Sequence, residues 1–203
     1  MFTRQVDNLL NHMNLHGWAT APTCMNAADS LRLKDECELS WRTGHFVRAG
    51  VGRGKTLEIR SEIRLDEVMW LDSNTESAEQ QTYLRLLEDL RQTINQRFFL
   101  GLFAYEGHFA VYPKGAFYKP HLDCYAGKSD RIVTTILYLN ENWQPGDGGE
   151  LKLWTTPEGR DGAFILIEPR MGTFVCFLAA DFWHEVLPAN KARMSITGWF
   201  RQH

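Results

Sequence analysis

The chain has 203 residues, 44% of them hydrophobic and 12% aromatic, which supplies one sizeable core and too little length for two. A formal charge of −3 and a pI near 6.2 exclude general attraction to nucleic acid or an anionic membrane as the basis of its activity. The scattered cysteines Cys24, Cys37, Cys124 and Cys176 form no C-x-x-C pair, which excludes a zinc ribbon or disulfide framework and fits a reducing cytoplasm.

In chain order, Phe2, Val6, Leu9, Leu10 and Met13 recur at helical spacing and predict a helix over about 2–15, stopped by Gly17. The opening MFTRQVDNLLNHMN has no uninterrupted apolar core of signal-peptide type, and no apolar run approaches membrane-spanning length, so a cytoplasmic protein is expected. Gly17 to Ala21 reads as a strand and Asn26 to Trp41 as a second helix around Ala27 and Leu31. Residues 44–64 set Gly50, Gly52 and Gly54 among Arg48, Arg53, Lys55, Arg60 and Arg64, the composition of an exposed hairpin or loop, either a solvated surface or a flap over a substrate. From Glu79 to Phe99 the positions Tyr83, Leu87, Leu90, Ile94 and Phe98 fall on one helical face.

From about residue 101 the character changes to short apolar or alternating runs, HFAVY, RIVTTILYLN, AFILIE, GTFVCFLA and RMSITGWF, separated by Gly, Pro, Asn and Asp. Helices first and many short strands afterwards predict a mainly β fold with flanking helices (α+β), a sandwich or barrel buttressed by the N-terminal helices. The chain reads as a single domain over 1–203, with helical support and the loop region in 1–100 and the β core in 101–203.

His121 and Asp123 form an H-x-D pair in a predicted strand, where the period of two projects both side chains from one face. His184, after the strand GTFVCFLA and a turn, offers a third ligand. Two imidazoles and one carboxylate make the facial triad of non-haem Fe(II) oxygenases, which leaves coordination positions open. Further on, Arg193, Ser195, Thr197 and Trp199 share one parity of a strand, and Met194, Ile196, Gly198 and Phe200 take the other as packing. An arginine projecting into a barrel is costly unless an anion meets it, because its charge cannot be shed, and a dicarboxylate co-substrate would supply that anion. In RIVTTILYLN, Ile132, Thr134, Ile136 and Tyr138 share a face, and Tyr138 can donate to a carboxylate oxygen. His12, His16, His45, His108 and His203 have no partners at ligand spacing and read as ordinary core or surface residues.

The stretches Tyr112-Pro113, Tyr118-Lys-Pro-His121-Leu-Asp123, Arg131 to Asn140, Gly148-Gly149-Glu150-Leu151, His184-Glu-Val and Arg193 to Trp199 together resemble the prolyl-hydroxylase branch of the 2-oxoglutarate oxygenases. The likeness is to the hydroxylases that modify hypoxia-inducible factor and to their bacterial relatives. The run Arg64 to Trp70 extends it over roughly residues 60–200. The resemblance implies a double-stranded β-helix (jelly-roll) core, with Fe(II) on His121, Asp123 and His184. It also implies 2-oxoglutarate and O2 as co-substrates, with ascorbate as a supporting reductant. Arg193 and Tyr138 would hold the distal carboxylate of 2-oxoglutarate, Tyr112 would lie near its chelating end with Thr197 beside it, and Tyr118, Arg131 and Trp199 would border the substrate. The implied partner is a protein with an exposed proline, elongation factor Tu being the candidate, and the basic segment over 44–64 corresponds to a loop that closes over peptide in this family. The stretch from Tyr112 to His121 is a residue shorter than in the animal enzymes.

Two other functions compete. One is an oxygenase of a free amino acid, another small molecule or a nucleic-acid base. The nucleic-acid demethylases of the superfamily carry a second arginine six residues after the first, where this chain has Trp199, so no nucleic-acid partner is expected. The other is a non-catalytic module that binds 2-oxoglutarate or senses oxygen, which would leave the intact ligand set unexplained.

Overall fold

The computed structural model describes residues 2–52, 57–124 and 130–202. Arg53, Gly54 and Lys55 of the basic segment, the side chain of Phe2, and His203 lie outside the described residues. Three helices and eleven strands follow in the order α1 (Phe2–His16), β1 (Trp18–Ala21), α2 (Ala27–Arg42), β2 (Val47–Arg48), β3 (Glu67–Trp70), α3 (Ala78–Phe98), β4 (Ala104–Tyr112), β5 (Tyr118–His121), β6 (Arg131–Tyr138), β7 (Leu151–Trp154), β8 (Phe164–Ile167), β9 (Phe174–Leu178), β10 (His184–Val186) and β11 (Arg193–Arg201). Among the described residues no helix is long and apolar enough to cross a membrane, and all four cysteines are free.

Local chemistry sets the helix ends. The side chain of Asn26 accepts from the Asp29 amide at 2.9 Å and that of Ser77 from the Gln80 amide at 3.1 Å, capping α2 and α3. Helix α1 ends on Gly17 at φ +75°, where a Cβ would come within 2.9 Å of the Phe182 ring. The α3 periodicity is realised, with Tyr83, Leu87, Leu90 and Ile94 buried along one face.

The strands form two antiparallel sheets. The larger has the order β1-β9-β6-β11-β4-β3-β2 and the smaller β5-β10-β7-β8, the jelly-roll arrangement. Alternation divides the larger sheet cleanly. Phe109, Val111, Met194, Ile196, Phe200, Phe174 and Cys176 face a core shared with Leu9, Leu10, Leu33, Leu87 and Ile94 of the helices. Ala110, Tyr112, Ile136, Tyr138, Val175 and Phe177 face a second core between the sheets, opposite Leu151, Leu153 and Val186.

Three expectations need correction. The first hundred residues are more than helical support with one short strand, since β2 and β3 also pair into the larger sheet. Ile132 does not share the inner face with Thr134, Ile136 and Tyr138: the register shifts between Phe200 and Arg201, and Ile132 packs toward the helices. Strand β5 ends at His121, so Asp123 stands just beyond it rather than inside it.

Candidate metal centre and co-substrate site

His121 closes β5 and His184 opens β10, and the register pairs these two residues directly, Cα opposite Cα. Asp123 reaches the same point from the bend after β5. One ligand atom from each of the three lies within 4.8 Å of the others. His121 Nε2 is 3.7 Å from Asp123 Oδ1, and His184 Nε2 is 3.5 Å from Asp123 Oδ2.

The protonation pattern suits a cation. His121 Nδ1 lies 2.8 Å from the Lys119 carbonyl and His184 Nδ1 lies 3.0 Å from the Phe182 carbonyl. A carbonyl only accepts, so each Nδ1 carries the proton and each Nε2 presents its lone pair to the centre. Burial, reinforced by the neighbouring His184 ring, brings His121 down to about 3, so it is neutral at physiological pH. Burial pushes the Asp123 carboxyl up, but the two imidazoles, the Thr134 hydroxyl at 2.8 Å and the nearby Trp199 indole outweigh it and hold the group at about 2. The Trp199 N–H stabilises that carboxylate from nearby without closing a hydrogen bond. Two imidazole nitrogens and one carboxylate can hold a divalent metal and leave coordination positions open.

The interior wall beside the triad is written by β11. Arg193 pairs with Tyr112, Ser195 with both Ala110 and Tyr138, Thr197 with His108 and Ile136, and Trp199 with Glu106 and Thr134. The expected parity is realised. Arg193 is 2% exposed, donates through Nε to the Gly149 carbonyl at 2.8 Å, and places its guanidinium 5.0 Å from the Tyr112 ring and 4.9 Å from the Tyr138 ring. Among the described residues no carboxylate pairs with it. The Tyr138 hydroxyl beside it is buried with no hydrogen-bond partner. A buried cation without an acid and a buried hydroxyl without a partner together define a cradle for an anionic ligand. Despite the shorter Tyr112–His121 stretch, Tyr112 stands at the cradle.

At the mouth, the Arg131 guanidinium stacks 3.4 Å over the Trp199 ring and is tied through Nε to Glu106 at 2.8 Å. Tyr118 stacks on His121 with ring centroids 3.6 Å apart. The predicted site residues are therefore ranged along the inner face of β11, from Arg193 to Trp199, and beside the triad.

Several contributors were missed. Arg64 lies 4.1 Å over the Tyr118 ring and pairs with the buried Asp66 through two hydrogen bonds of 2.7 and 2.5 Å, forming a chain that runs Asp66, Arg64, Tyr118, His121. Burial works against the Arg64 charge, and the Asp66 carboxylate overcomes it. The signal was an arginine and an aspartate two apart flanking a strand, but only the fold shows that they are buried together. Gly149, at φ +70°, holds Arg193 through its carbonyl, and a Cβ there would stand 2.9 Å from Ala189 Cβ and 3.2 Å from Arg193 Cδ. His108, read as an ordinary residue, is buried on the same inner face. A cleft of about 300 Å³ between the β2–β3 connection and the β4–β5 turn includes Arg64 and Asp66 but none of the three triad residues.

Comparison with known proteins places this geometry. The 2OG-Fe(II) oxygenase superfamily model matches residues 107–201, the segment that carries the triad and Arg193. A prolyl-4-hydroxylase of Pseudomonas putida, known from its crystal structure, is 40% identical and superposes with a TM-score of 0.88 over 97% of this chain and 99% of that one. The Trichoplax adhaerens prolyl hydroxylase solved with a hypoxia-inducible factor peptide fragment has the same fold, with a TM-score of 0.86 and 24% identity, covering 99% of this chain and 90% of that one. Human Egl nine homolog 1 is 29% identical over 201 residues, which is 93% of this chain but 44% of that protein, so this chain spans less than half of that curated relative. Because a prolyl hydroxylase matches it at 40% identity along nearly its whole length, the chain belongs to the 2OG-Fe(II) oxygenase superfamily, as a homologue of the prolyl hydroxylases.

Proposed function

We propose that this protein is an Fe(II)- and 2-oxoglutarate-dependent dioxygenase that hydroxylates a prolyl residue of a protein substrate and releases succinate and CO2. The observation that carries the reading is Arg193, a buried cation with no acid partner among the described residues, beside the partnerless Tyr138 hydroxyl and on the same wall as a metal triad. A dicarboxylate reaching from the triad to Arg193 and Tyr138 would satisfy all of these groups at once.

In this reading His121, Asp123 and His184 hold the iron on one face. Arg193 and Tyr138 anchor the distal carboxylate, Tyr112 lies toward the co-substrate, and Thr197 flanks it. Bound iron and 2-oxoglutarate supply oxygen activation coupled to loss of CO2. The protein orients the groups and keeps water out: Thr134 fixes one Asp123 oxygen, the carbonyls of Lys119 and Phe182 fix the two imidazole planes, and the aromatic wall dries the site. Tyr118, Arg131 and Trp199 border the substrate residue, and the segment over 44–64 serves as a flap. We read 1–203 as one oxygenase domain acting in the cytoplasm, with ascorbate keeping the iron reduced and elongation factor Tu as the target.

Anaerobically purified protein mixed with Fe(II), 2-oxoglutarate and ascorbate, then exposed to oxygen, should form succinate at a rate raised by prolyl peptides. Turnover that no peptide raises would point to a small-molecule substrate, and binding without turnover to a sensor. Elongation factor Tu from cells with the protein should carry one more oxygen on a proline than that from cells without it. Equal masses would remove that target.

A further inference from the structure

Resting on the prolyl-hydroxylase reading, we propose that His108, which packs between Trp70 and Trp199, is a substrate-binding residue whose Nδ1–H donates to a peptide carbonyl of the bound segment. His108 lies in the middle of β4, opposite Thr197 on β11 and Trp70 on β3, on the inward parity with Ala110 and Tyr112. It is 5% exposed, with ring centroids 5.0 Å from Trp70 and 5.5 Å from Trp199.

Packing alone does not account for an imidazole there. Its Nδ1 is buried without a hydrogen-bond partner, and an unsatisfied buried polar atom carries a desolvation cost that an apolar side chain of the same size would avoid. The neighbouring Nε1–H of Trp199 also closes no hydrogen bond, but it serves the Asp123 carboxylate. An indole nitrogen only donates, and a neutral imidazole carries one N–H. Burial, followed by the charges of Arg64 and Arg131, keeps His108 neutral against the opposing pull of Asp123.

In the tautomer whose proton sits on Nδ1, His108 presents one donor on an aromatic wall next to the metal triad. Arg131, stacked on Trp199 and tied to Glu106, holds one side of it, and Trp70, 54% exposed, marks its open end. A prolyl residue matches this chemistry. It has no N–H, so the peptide around it offers an excess of carbonyl acceptors, and these need partners when they leave water.

The test loads wild type, His108→Met and His108→Gln with Mn(II) and 2-oxoglutarate. It then titrates in the prolyl peptide that most raises succinate release, following binding by calorimetry. His108→Met should weaken peptide binding by about tenfold and raise the peptide KM by a similar factor. Mn(II) and 2-oxoglutarate affinities, measured separately, should hold. His108→Gln, which keeps an N–H donor, should recover most of the loss. Should the Met variant fail to fold, His108→Leu against His108→Gln makes the same comparison. Unchanged peptide affinity in the apolar variant, or a loss shared by Mn(II) and 2-oxoglutarate, overturns the contact while leaving the prolyl reading standing. A wild type that responds to no prolyl peptide removes both.

Discussion

Replacing Arg193 with methionine separates stability from co-substrate binding. The substitution removes a guanidinium that is 2% exposed and faces no acid among the described residues, and it breaks the 2.8 Å bond to the Gly149 carbonyl. Losing that bond costs about 1–3 kcal/mol. Relieving a buried cation of its desolvation returns about 1–4 kcal/mol. The ligand-free protein should therefore end between about 2 kcal/mol less stable and about 3 kcal/mol more stable. The bound anion, in contrast, loses a buried charge partner worth about 2–5 kcal/mol, so 2-oxoglutarate affinity should fall by about thirtyfold to several thousandfold. Urea unfolding of the Mn(II)-loaded protein, with and without 2-oxoglutarate, reads both quantities. At a hundredfold excess over Kd the wild type gains about 2.7 kcal/mol, and the variant at the same concentration should gain less than about 1 kcal/mol. A variant that keeps the full gain, or a ligand-free variant destabilised by more than about 4 kcal/mol, would refute the view that Arg193 is held for an anion.

Other perturbations follow from the same geometry. His184→Ala should weaken Mn(II) binding by more than about a hundredfold in calorimetry, beyond the loss typical of an outer-shell partner, and abolish succinate formation. Asp66→Ala strands the Arg64 cation under the Tyr118 ring and should destabilise by about 3–5 kcal/mol in urea unfolding. Gly149→Ala sets a Cβ at φ +70° against Ala189 and Arg193, and should lose about 1–3 kcal/mol of stability along with 2-oxoglutarate affinity. For the metal-free protein, His108 and His121 have folded values of about 3 against an ordinary 6.5. The unfolded chain therefore binds protons first, and stability should fall as pH drops from about 6.5 toward 3, by up to about 1.4 kcal/mol per pH unit for each ring. Flat stability in urea titrations across that window would show that these rings are not held neutral.

His121, Asp123 and Arg193 were legible because each rests on a short-range pattern, whereas His184, 61 residues after Asp123, joins them through strand pairing. An H-x-D pair beside a strand end brings two ligands to one place, and an Arg-x-Ser-x-Thr-x-Trp parity turns four side chains to one wall whatever the strand pairs with. Strand-helix order likewise gave the fold class. The inner-face assignment of Ile132 failed because a register shift opposite it, between Phe200 and Arg201, is a property of two strands and not of either alone. The extent of the sheet was under-read for a similar reason, since β2 has two residues and becomes a strand only against β3.

What the sequence alone determined is therefore the identity of the chemistry: which residues can bind a metal, which cation needs an anion, and which faces are apolar. What the tertiary structure decided is the set of groups left buried with or without partners. The stacking of the Arg64–Asp66 pair on Tyr118, the Gly149 carbonyl under Arg193, and the orphan nitrogens of His108 and Trp199 all depend on contacts between segments far apart in the chain. Desolvation is a property of the surrounding volume rather than of the residue, so no local pattern could reveal which polar atoms it would leave waiting for a ligand.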